Sequence, residues 1–293
     1  MHIHGNNLAQ KESNPKEKYN TPEIKALLAE IRPVYDQWRK DNEALSGPLS
    51  TTTDEDIAVL EERVRLLNDY KDFIEQRRFV EAFDSRSNLQ SSALEEFMYY
   101  LFNDLVKSLS EHALIGKSGS FKDIFFRAPS YRAMLESPYA YIEKKNHDFA
   151  IGVSVQAALT TRGRDAAEPE REQWDLPAVA VECKTYLDKT MLQDCSTAAA
   201  ELKVRNPNAL YIVVAEWLKL TEAVNLKKLK VDQIYILRKQ KNTDREFRLL
   251  DGYEKNPVYA DVVCHLFNTV RDHLTADWEG TVAHGLGRGY LVG

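Results

Sequence analysis

The run VAVECKTYL, residues 179–187, constrains the fold most, because its apolar and β-branched residues predict a buried strand. Glu182 and Lys184 interrupt this run. Residues i and i+2 of a strand point to the same face, so we expect these two charged side chains to lie together and Cys183 to face the opposite side. Burying two ionised groups is costly. Their position therefore indicates either an ion pair at the edge of a sheet or a functional site.

The segments around this run predict a mixed α/β fold. Amphipathic helical stretches alternate with β-branched and aromatic segments that are bounded by Gly, Pro or charged residues. The predicted elements are a helix from Ser91, strands in 121–128, 148–159 and 177–187, a helix over 189–204, strands in 206–218 and 233–239, and a helix over 258–274. This order predicts a mixed central sheet flanked by helices.

The N-terminal third predicts helices and no strands. Residues 1–20 are polar and show no periodicity, so we expect a flexible arm there. Thr21 and Pro22 are the cap and first-turn residues of a helix start. A break rich in Ser, Gly, Pro and Thr separates that helix from another around 54–83. Residues 21–88 thus form a helical region ahead of the strands.

Asp148 changes the interpretation of Glu182 and Lys184. It begins the preceding strand segment, and a sheet can bring the start of one strand beside the end of its neighbour. An aspartate and a glutamate that converge there would supply hard oxygen ligands for Mg²⁺. Such a site hydrolyses phosphodiesters, because the metal polarises the phosphate and lowers the pKa of its water. Lys184 would orient the nucleophile or help to deprotonate it, and would offset charge in the transition state.

Asp148, followed by a strand and a loop and then Glu182-Cys183-Lys184, resembles the PD-(D/E)XK motif of restriction endonucleases and related nucleases. His147 stands where that motif usually has proline. The order of elements across 90–216 also resembles the shared core of this superfamily. The stretches LEEFMYYLFNDL, HDFAI and AVAVECKTYLDKTMLQ are similar to Type II restriction enzymes of the BbvCI-like group, some of which use two different subunits for an asymmetric site.

The resemblance implies a restriction-endonuclease-like α/β fold. Its nuclease core would span 89–293, with a C-terminal strand and helix added, and 21–88 would serve recognition or dimerisation. The implied function is a Type II restriction endonuclease that hydrolyses both strands of DNA at a specific site with Mg²⁺. Asp148, Glu182 and Lys184 would be catalytic, and the two carboxylates would bind the metal. Two antiparallel strands need two active sites, so on double-stranded DNA we expect a homodimer or a heterodimer with a related nuclease subunit.

The family often has an acidic residue on the first core helix that reaches the metal site. Glu95 and Glu96 are the candidates. The apolar stripe of this helix centres near Leu94 and Leu101, so Glu95 lies on its flank and Glu96 points nearly away from the core. We therefore expect Glu95 at the catalytic and metal-binding site. The alternative is that both acids are solvated charges near a helix N-terminus, where the macrodipole favours them.

DNA binding needs local positive charge, although the net charge of the chain is -6. One basic stretch lies in a Gly/Ser loop and an aromatic strand. A second, over 219–248, has nine Lys or Arg residues and four acidic residues. The candidate DNA-binding residues are Lys117, Lys122, Arg127, Arg132, Lys227, Lys228, Lys230, Arg238 and Lys239. For each of them the alternative is an ordinary solvated charge.

Other functions compete with the nuclease. His147-Asp148 is the HD pair of metal phosphohydrolases, but that chemistry places the pair on helices and here it leads a strand. Cys264-His265 is a weak candidate for nucleophilic catalysis, because adjacent helical residues point about 100° apart. A DNA-repair nuclease of the same superfamily is a further alternative. The last is a catalytically silent DNA-binding or assembly protein, against which the intact set of two carboxylates and lysine argues.

The cellular compartment is suggested by cysteine usage and hydropathy. The three cysteines have no paired or metal-type spacing, which fits a reducing cytoplasm. No apolar run approaches the roughly 20 residues that span a bilayer, and the polar start lacks the apolar segment of a signal peptide. We therefore expect a cytoplasmic protein with no membrane partner.

Overall fold

The computed structural model of the chain describes residues 2–16, 19–83, 89–162, 169–221, 223–241, 250, 252–278 and 282–289. Its helices are α1 (Ile3–Glu12), α2 (Pro22–Ala44), α3 (Asp56–Ile74), α4 (Arg77–Ala82), α5 (Leu89–Leu109), α6 (Tyr131–Glu136), α7 (Lys189–Arg205), α8 (Ala260–Thr275) and α9 (Val282–Arg288). Its strands are β1 (Leu114–Phe126), β2 (Ala140–Leu159), β3 (Glu170–Leu187), β4 (Leu210–Leu218) and β5 (Gln233–Ile236). A single 3₁₀ turn (Leu226–Lys228) lies between β4 and β5.

The five strands form one mixed sheet in the order β1-β2-β3-β4-β5. β1 pairs antiparallel with β2, and β2 with β3, whereas β3 pairs parallel with β4 and β4 with β5. Parallel neighbours need a crossover connection, and α7 supplies it between β3 and β4. The prediction of a mixed sheet flanked by helices is confirmed.

Both faces of the sheet are covered, which places β3 in the interior. One face packs in a hydrophobic core shared with α2, α3, α5 and α8, and this core contains Val179, Val181 and Cys183 of β3. The other face packs against α7, whose small side chains Ala198 and Ala199 lie close to Tyr211 of β4 in a second core. The alternation of β3 residues between the two cores follows from the two-residue period of a strand.

The helical N-terminal region is not a separate unit, since its buried residues belong to the same core as the sheet. Thr21 caps α2 as predicted, because its side chain accepts a hydrogen bond from the backbone N–H of Ile24 (3.3 Å). The second predicted helix, around 54–83, is divided into α3 and α4. None of the described helices has the length and hydropathy to cross a membrane.

The start of the chain differs from the flexible arm expected for residues 1–20. Helix α1 packs against α5, and its residue His4 is fully buried. The backbone N–H groups of His4 and Gly5 donate to the carboxylate of Glu96 on α5 (2.7 and 3.2 Å). A helix of this length is marginal on its own. The expectation of an arm was wrong because a tertiary contact, which composition does not reveal, stabilises this helix.

Candidate active site

A bulge in β2 sets the position of Asp148. Gly116 of β1 pairs with Ala150, but the next pair is Ser118 with His147, so two β2 residues lie opposite Lys117 alone. At this end of the sheet the last pair between β2 and β3 is Phe149 with Val181. Beyond it, Asp148 Oδ2 accepts a hydrogen bond from the backbone N–H of Cys183 (3.0 Å). The carboxylate of Asp148 is thus fixed against β3 where the backbone pairing ends.

Lys184 lies between the two carboxylates. Its Nζ is 2.8 Å from Asp148 Oδ2 and 2.9 Å from Glu182 Oε2. Cys183 faces the core on the opposite side of β3, as strand parity predicts. Burial lowers the pKa of Lys184, but the charges of Asp148 and Glu182 outweigh burial and raise it above its usual value. The amine is therefore a cation held by two acids.

The other oxygen of Glu182 is also bonded. Oε1 lies 3.3 Å from His147 Nδ1 and accepts a hydrogen bond from the Tyr211 hydroxyl (3.2 Å). Burial raises the pKa of Glu182, but the hydrogen bond from His147 and the charge of Lys184 oppose it and lower the pKa to about 2. The glutamate is therefore ionised, although its side chain is only 12% exposed.

Asp148 and Lys184 line a cleft of about 390 Å³. The lining residues are Gln90, Ser91, Glu95, Lys117, Asp148, Cys183, Lys184, Thr185, Tyr186 and Met191. Glu95 enters the cleft from α5, and burial and the charge of Asp148 raise its pKa. Lys117 lies 3.0 Å from Glu95 Oε2 and partly offsets these effects. The structure therefore brings Glu95 to the cleft together with Asp148 and Lys184.

Helical periodicity predicted that Glu96 points nearly away from the core, but the structure buries it. Its side chain is fully buried on the side of α5 that α1 covers. The hydroxyls of Tyr35 and Tyr100 donate to Glu96 Oε1 at 2.9 and 2.6 Å, in addition to the two N–H groups from α1. Periodicity placed Glu95 and Glu96 on different sides of α5, but it missed the helix α1 that covers Glu96.

The donor set can be tested against a metal ion. Among the described residues, no three carboxylate, imidazole or thiol groups form a ready-made metal cage. Asp148 and Glu182 nevertheless converge on one cation, the ammonium of Lys184. Glu95 Oε2 is buried and pairs with Lys117 (3.0 Å). These carboxylate oxygens fit a hard divalent cation that keeps several waters, such as Mg²⁺ or Mn²⁺.

The candidate DNA-binding residues are scattered. Lys117 lies in the cleft, Lys122 pairs with Glu143 (2.6 Å), and Arg127 stacks on Phe125 and Tyr141. Lys239 pairs with Asp261 (2.5 Å). Exposed side chains are found at Arg132, Lys227, Lys228 and Lys230. Positions 222 and 242–248 of the second basic stretch lie outside the described residues.

The prediction that Arg238 binds DNA was wrong, because its side chain is fully buried and cannot reach DNA from this position. Its guanidinium donates to Glu216 Oε2 (3.1 and 3.2 Å) and to the backbone carbonyl of Asn256 (2.7 Å). It also stacks over the ring of Trp217, at 4.6 Å from the ring centroid. A count of basic residues along the chain does not separate such a buried cation from an exposed one.

Sequence reasoning missed two residues that bond to Glu182. His147 stands at the proline position of the motif, and this departure was the available signal. Tyr211 lies in an apolar strand, where its hydroxyl gave no signal of the contact. The HD interpretation finds no support, since His147 and Asp148 lie on a strand and His112, the nearby upstream histidine that could serve as a further ligand, is exposed.

Comparison with known proteins decides the family. A sequence model of the Bpu10I restriction endonuclease matches residues 86–291. The chain belongs to the Bpu10I restriction endonuclease family. It is thus a Type II restriction endonuclease, a hydrolase that binds and cuts DNA. A solved structure described as the native BbvCI A2B2 tetramer at low resolution matches with a TM-score of 0.72 and 19% identity, over 95% of this chain and 99% of that chain. No curated protein matches the chain.

Proposed function

We propose that Asp148, Glu182 and Lys184 are the catalytic residues of this restriction endonuclease, and that Glu95 adds a carboxylate to a Mg²⁺ site formed with Asp148 and Glu182. The observation that carries the proposal is the cleft in which Lys184 Nζ lies within 2.9 Å of both carboxylates. A surface ion pair would not need acids from two strands and a helix to converge. Such convergence is typical of a site that binds cations and phosphate.

The metal, when bound, polarises the phosphate and lowers the pKa of a coordinated water. The protein side chains orient the metal ligands and stabilise the developing charge. Asp148 is held by the N–H of Cys183, and Glu182 by His147 and Tyr211, so both carboxylates are pre-oriented. Hydrolysis adds water across the phosphodiester and breaks one P–O bond, and negative charge develops on the phosphate. The ammonium of Lys184 lies where it can stabilise that charge and orient the attacking water.

Cleavage of plasmid DNA is expected to require a hard divalent cation. Mg²⁺ or Mn²⁺ should support cleavage, because the candidate ligands are carboxylate oxygens, and Ca²⁺ should support binding without fast cleavage. Discrete fragments on a gel would measure site-specific cutting, with EDTA as the control. Full activity in EDTA would remove the metal from the proposal.

The segment with Lys227, Lys228 and Lys230 is the basic surface that we propose to contact DNA phosphates. It follows β4, at whose end Lys219 lies 5.8 Å from the ring of Tyr186, a cleft residue. All three lysines are exposed around the 3₁₀ turn. Lys219, the first basic residue of the stretch 219–248, therefore lies beside a residue that lines the cleft.

Replacing Lys227, Lys228 and Lys230 together with alanine is expected to weaken DNA binding uniformly across sequences. The plot of log affinity against log salt should become less steep by about 3, because each lost phosphate contact removes about 0.9 from the slope. Fluorescence anisotropy with a labelled duplex in Ca²⁺ would measure this slope. Lys239→Ala is the matched control, since Lys239 is already paired with Asp261. An unchanged slope in the triple variant would place the phosphate contacts elsewhere.

We also propose an assembly with a second nuclease subunit, identical or related, since one site cuts one strand at a time. The structural match described as a BbvCI A2B2 tetramer supports this proposal. The region 21–88 is proposed to serve recognition or dimerisation. For the compartment we propose the cytoplasm, where a restriction enzyme meets foreign DNA.

A further inference from the structure

His147 lies behind the candidate active site and is fully enclosed. Its side chain has no exposed surface. One ring nitrogen, Nδ1, lies 3.3 Å from Glu182 Oε1, and the other, Nε2, lies 2.9 Å from the hydroxyl of Ser120 on β1. The ring therefore links β1, β2 and β3 at the place where the backbone pairing of β2 and β3 ends.

The donors and acceptors around His147 fix which nitrogen carries a proton. The ionised carboxylate of Glu182 can only accept, so Nδ1 must donate to it. The hydroxyl of Ser120 can donate either to Nε2 or to the backbone carbonyl of Lys145 (3.1 Å). The first choice leaves a neutral ring and the second requires a protonated one. In both arrangements the Nδ1–H group of His147 points at Glu182.

Two donors thus hold the same oxygen of Glu182. Tyr211, from β4, donates to Oε1 from one side of β3, and His147, from β2, donates from the other. The two rings meet edge to face, with centroids 5.7 Å apart. With Oε1 held in this way, Oε2 is the oxygen that contacts Lys184 (2.9 Å). The rotation of the carboxylate, and with it the direction of Oε2, is set by residues outside the cleft lining.

We propose that His147 is a positioning residue that orients the Glu182 carboxylate for the metal. This inference rests on the proposed role of Glu182 as a metal ligand. Proline, which usually occupies this place in the motif, has no side-chain hydrogen-bond donor. His147 has one, and its side chain can therefore orient the Glu182 carboxylate. Removing a hydrogen-bond partner of a metal ligand typically costs about 10–100-fold in metal affinity or activity.

Two substitutions separate the contact of His147 with Glu182 from its contact with Ser120. The amide nitrogen of asparagine can stand near the position of Nδ1, so His147→Asn keeps a donor for Glu182 and loses Ser120. The amide of glutamine reaches the position of Nε2, so His147→Gln keeps the contact with Ser120 and loses the donor for Glu182. Both variants are polar and smaller than or similar to histidine in size, which limits their effect on folding.

The measurement is Mn²⁺ binding to the full chain, followed by the electron paramagnetic resonance signal of free Mn²⁺. His147→Gln is expected to weaken Mn²⁺ binding by about 10–100-fold and to raise the Mg²⁺ concentration needed for half-maximal cleavage in parallel. His147→Asn should bind Mn²⁺ close to the level of the unmodified protein. Affinity for DNA at saturating Ca²⁺ should be the same for both variants.

His4→Gln is the matched control, because His4 is also fully buried and bonded to a hydroxyl at each ring nitrogen, those of Ser92 and Tyr70 (2.7 and 2.5 Å). It should lower stability without changing Mn²⁺ affinity. Equal Mn²⁺ affinity for His147→Gln and the unmodified protein would overturn the positioning role, and so would equal losses in the Asn and Gln variants. Asp148→Ala distinguishes failure of the positioning role of His147 from failure of the proposed metal site. If it too binds Mn²⁺ normally, the proposed metal site itself has failed.

Discussion

Lys184→Ala is expected to lower the cleavage rate by about 10²–10⁴-fold, the range typical for loss of one electrostatic or acid–base group. The substitution removes the cation that lies 2.8 and 2.9 Å from the two carboxylates. It leaves the packing of β3, which Val179, Val181 and Leu187 provide in the two cores. Catalysis should therefore collapse while folding and DNA binding persist.

The test of Lys184→Ala pairs two assays on one preparation, the cleavage rate in Mg²⁺ and the affinity for cognate duplex in Ca²⁺. Circular dichroism confirms folding. Lys203→Ala is a suitable control, because it removes a lysine of α7 that forms a surface pair with Asp232. A folded Lys184→Ala protein that cuts at a near-normal rate would reduce Glu182 and Lys184 to a structural ion pair. Parallel losses of binding and cleavage would make Lys184 a phosphate contact.

The candidate site was predictable because it depends on short-range geometry. The period of a strand is two residues, so Glu182 and Lys184 had to share a face and Cys183 had to oppose them. The chain order of the strands then made Asp148 a neighbour of Glu182. The bulge opposite Lys117 and the contacts of His147 and Tyr211 with Glu182 were not predictable in this way, because they depend on the register between strands.

The fold was predictable where a buried helix face produces a periodic apolar pattern in the sequence. It was missed where one long-range contact, and not such a pattern, stabilises the helix. Helix α5 has an apolar stripe, and its existence followed from that stripe. Helix α1 has little amphipathic pattern, and it is held by the carboxylate of Glu96, which is distant in the sequence. A buried acid that accepts from a helix N-terminus is stabilising. Without the fold, however, Glu96 cannot be distinguished from a solvated glutamate.

Arg238 and Lys239 show the same limit for basic residues. They are adjacent in a stretch with excess positive charge, and both were candidates for DNA binding. The structure buries the first and exposes 45% of the side chain of the second. Arg238 joins a buried ionic cluster with Glu75, Glu216 and Lys71, in which Lys71 Nζ lies 2.7 Å from Glu216 Oε1 and 3.0 Å from Glu75 Oε1.

Arg238→Ala is expected to destabilise the fold by about 3–5 kcal/mol, the usual result of removing one partner from a buried ion pair. Glu216 would then rely on Lys71, Glu75 on Lys71 and Lys255, and Trp217 would lose the guanidinium that stacks on its ring. Lys239→Ala removes an exposed pair with Asp261 and a contact with the ring of Tyr259, and should cost about 1 kcal/mol. Urea unfolding followed by circular dichroism would measure the difference as a shift in midpoint at constant slope.

DNA affinity decides between the structural and the DNA-binding interpretation of Arg238. At a temperature where the variant is folded, Arg238→Ala should bind duplex with the same salt dependence as the unmodified protein, because a fully buried guanidinium releases no counterions from DNA. A phosphate contact would instead reduce the slope of log affinity against log salt by about 1. A stable Arg238→Ala protein with that reduced slope would contradict the buried cluster and return Arg238 to the DNA-binding surface. Loss of stability with an unchanged slope is the result that the ionic cluster predicts.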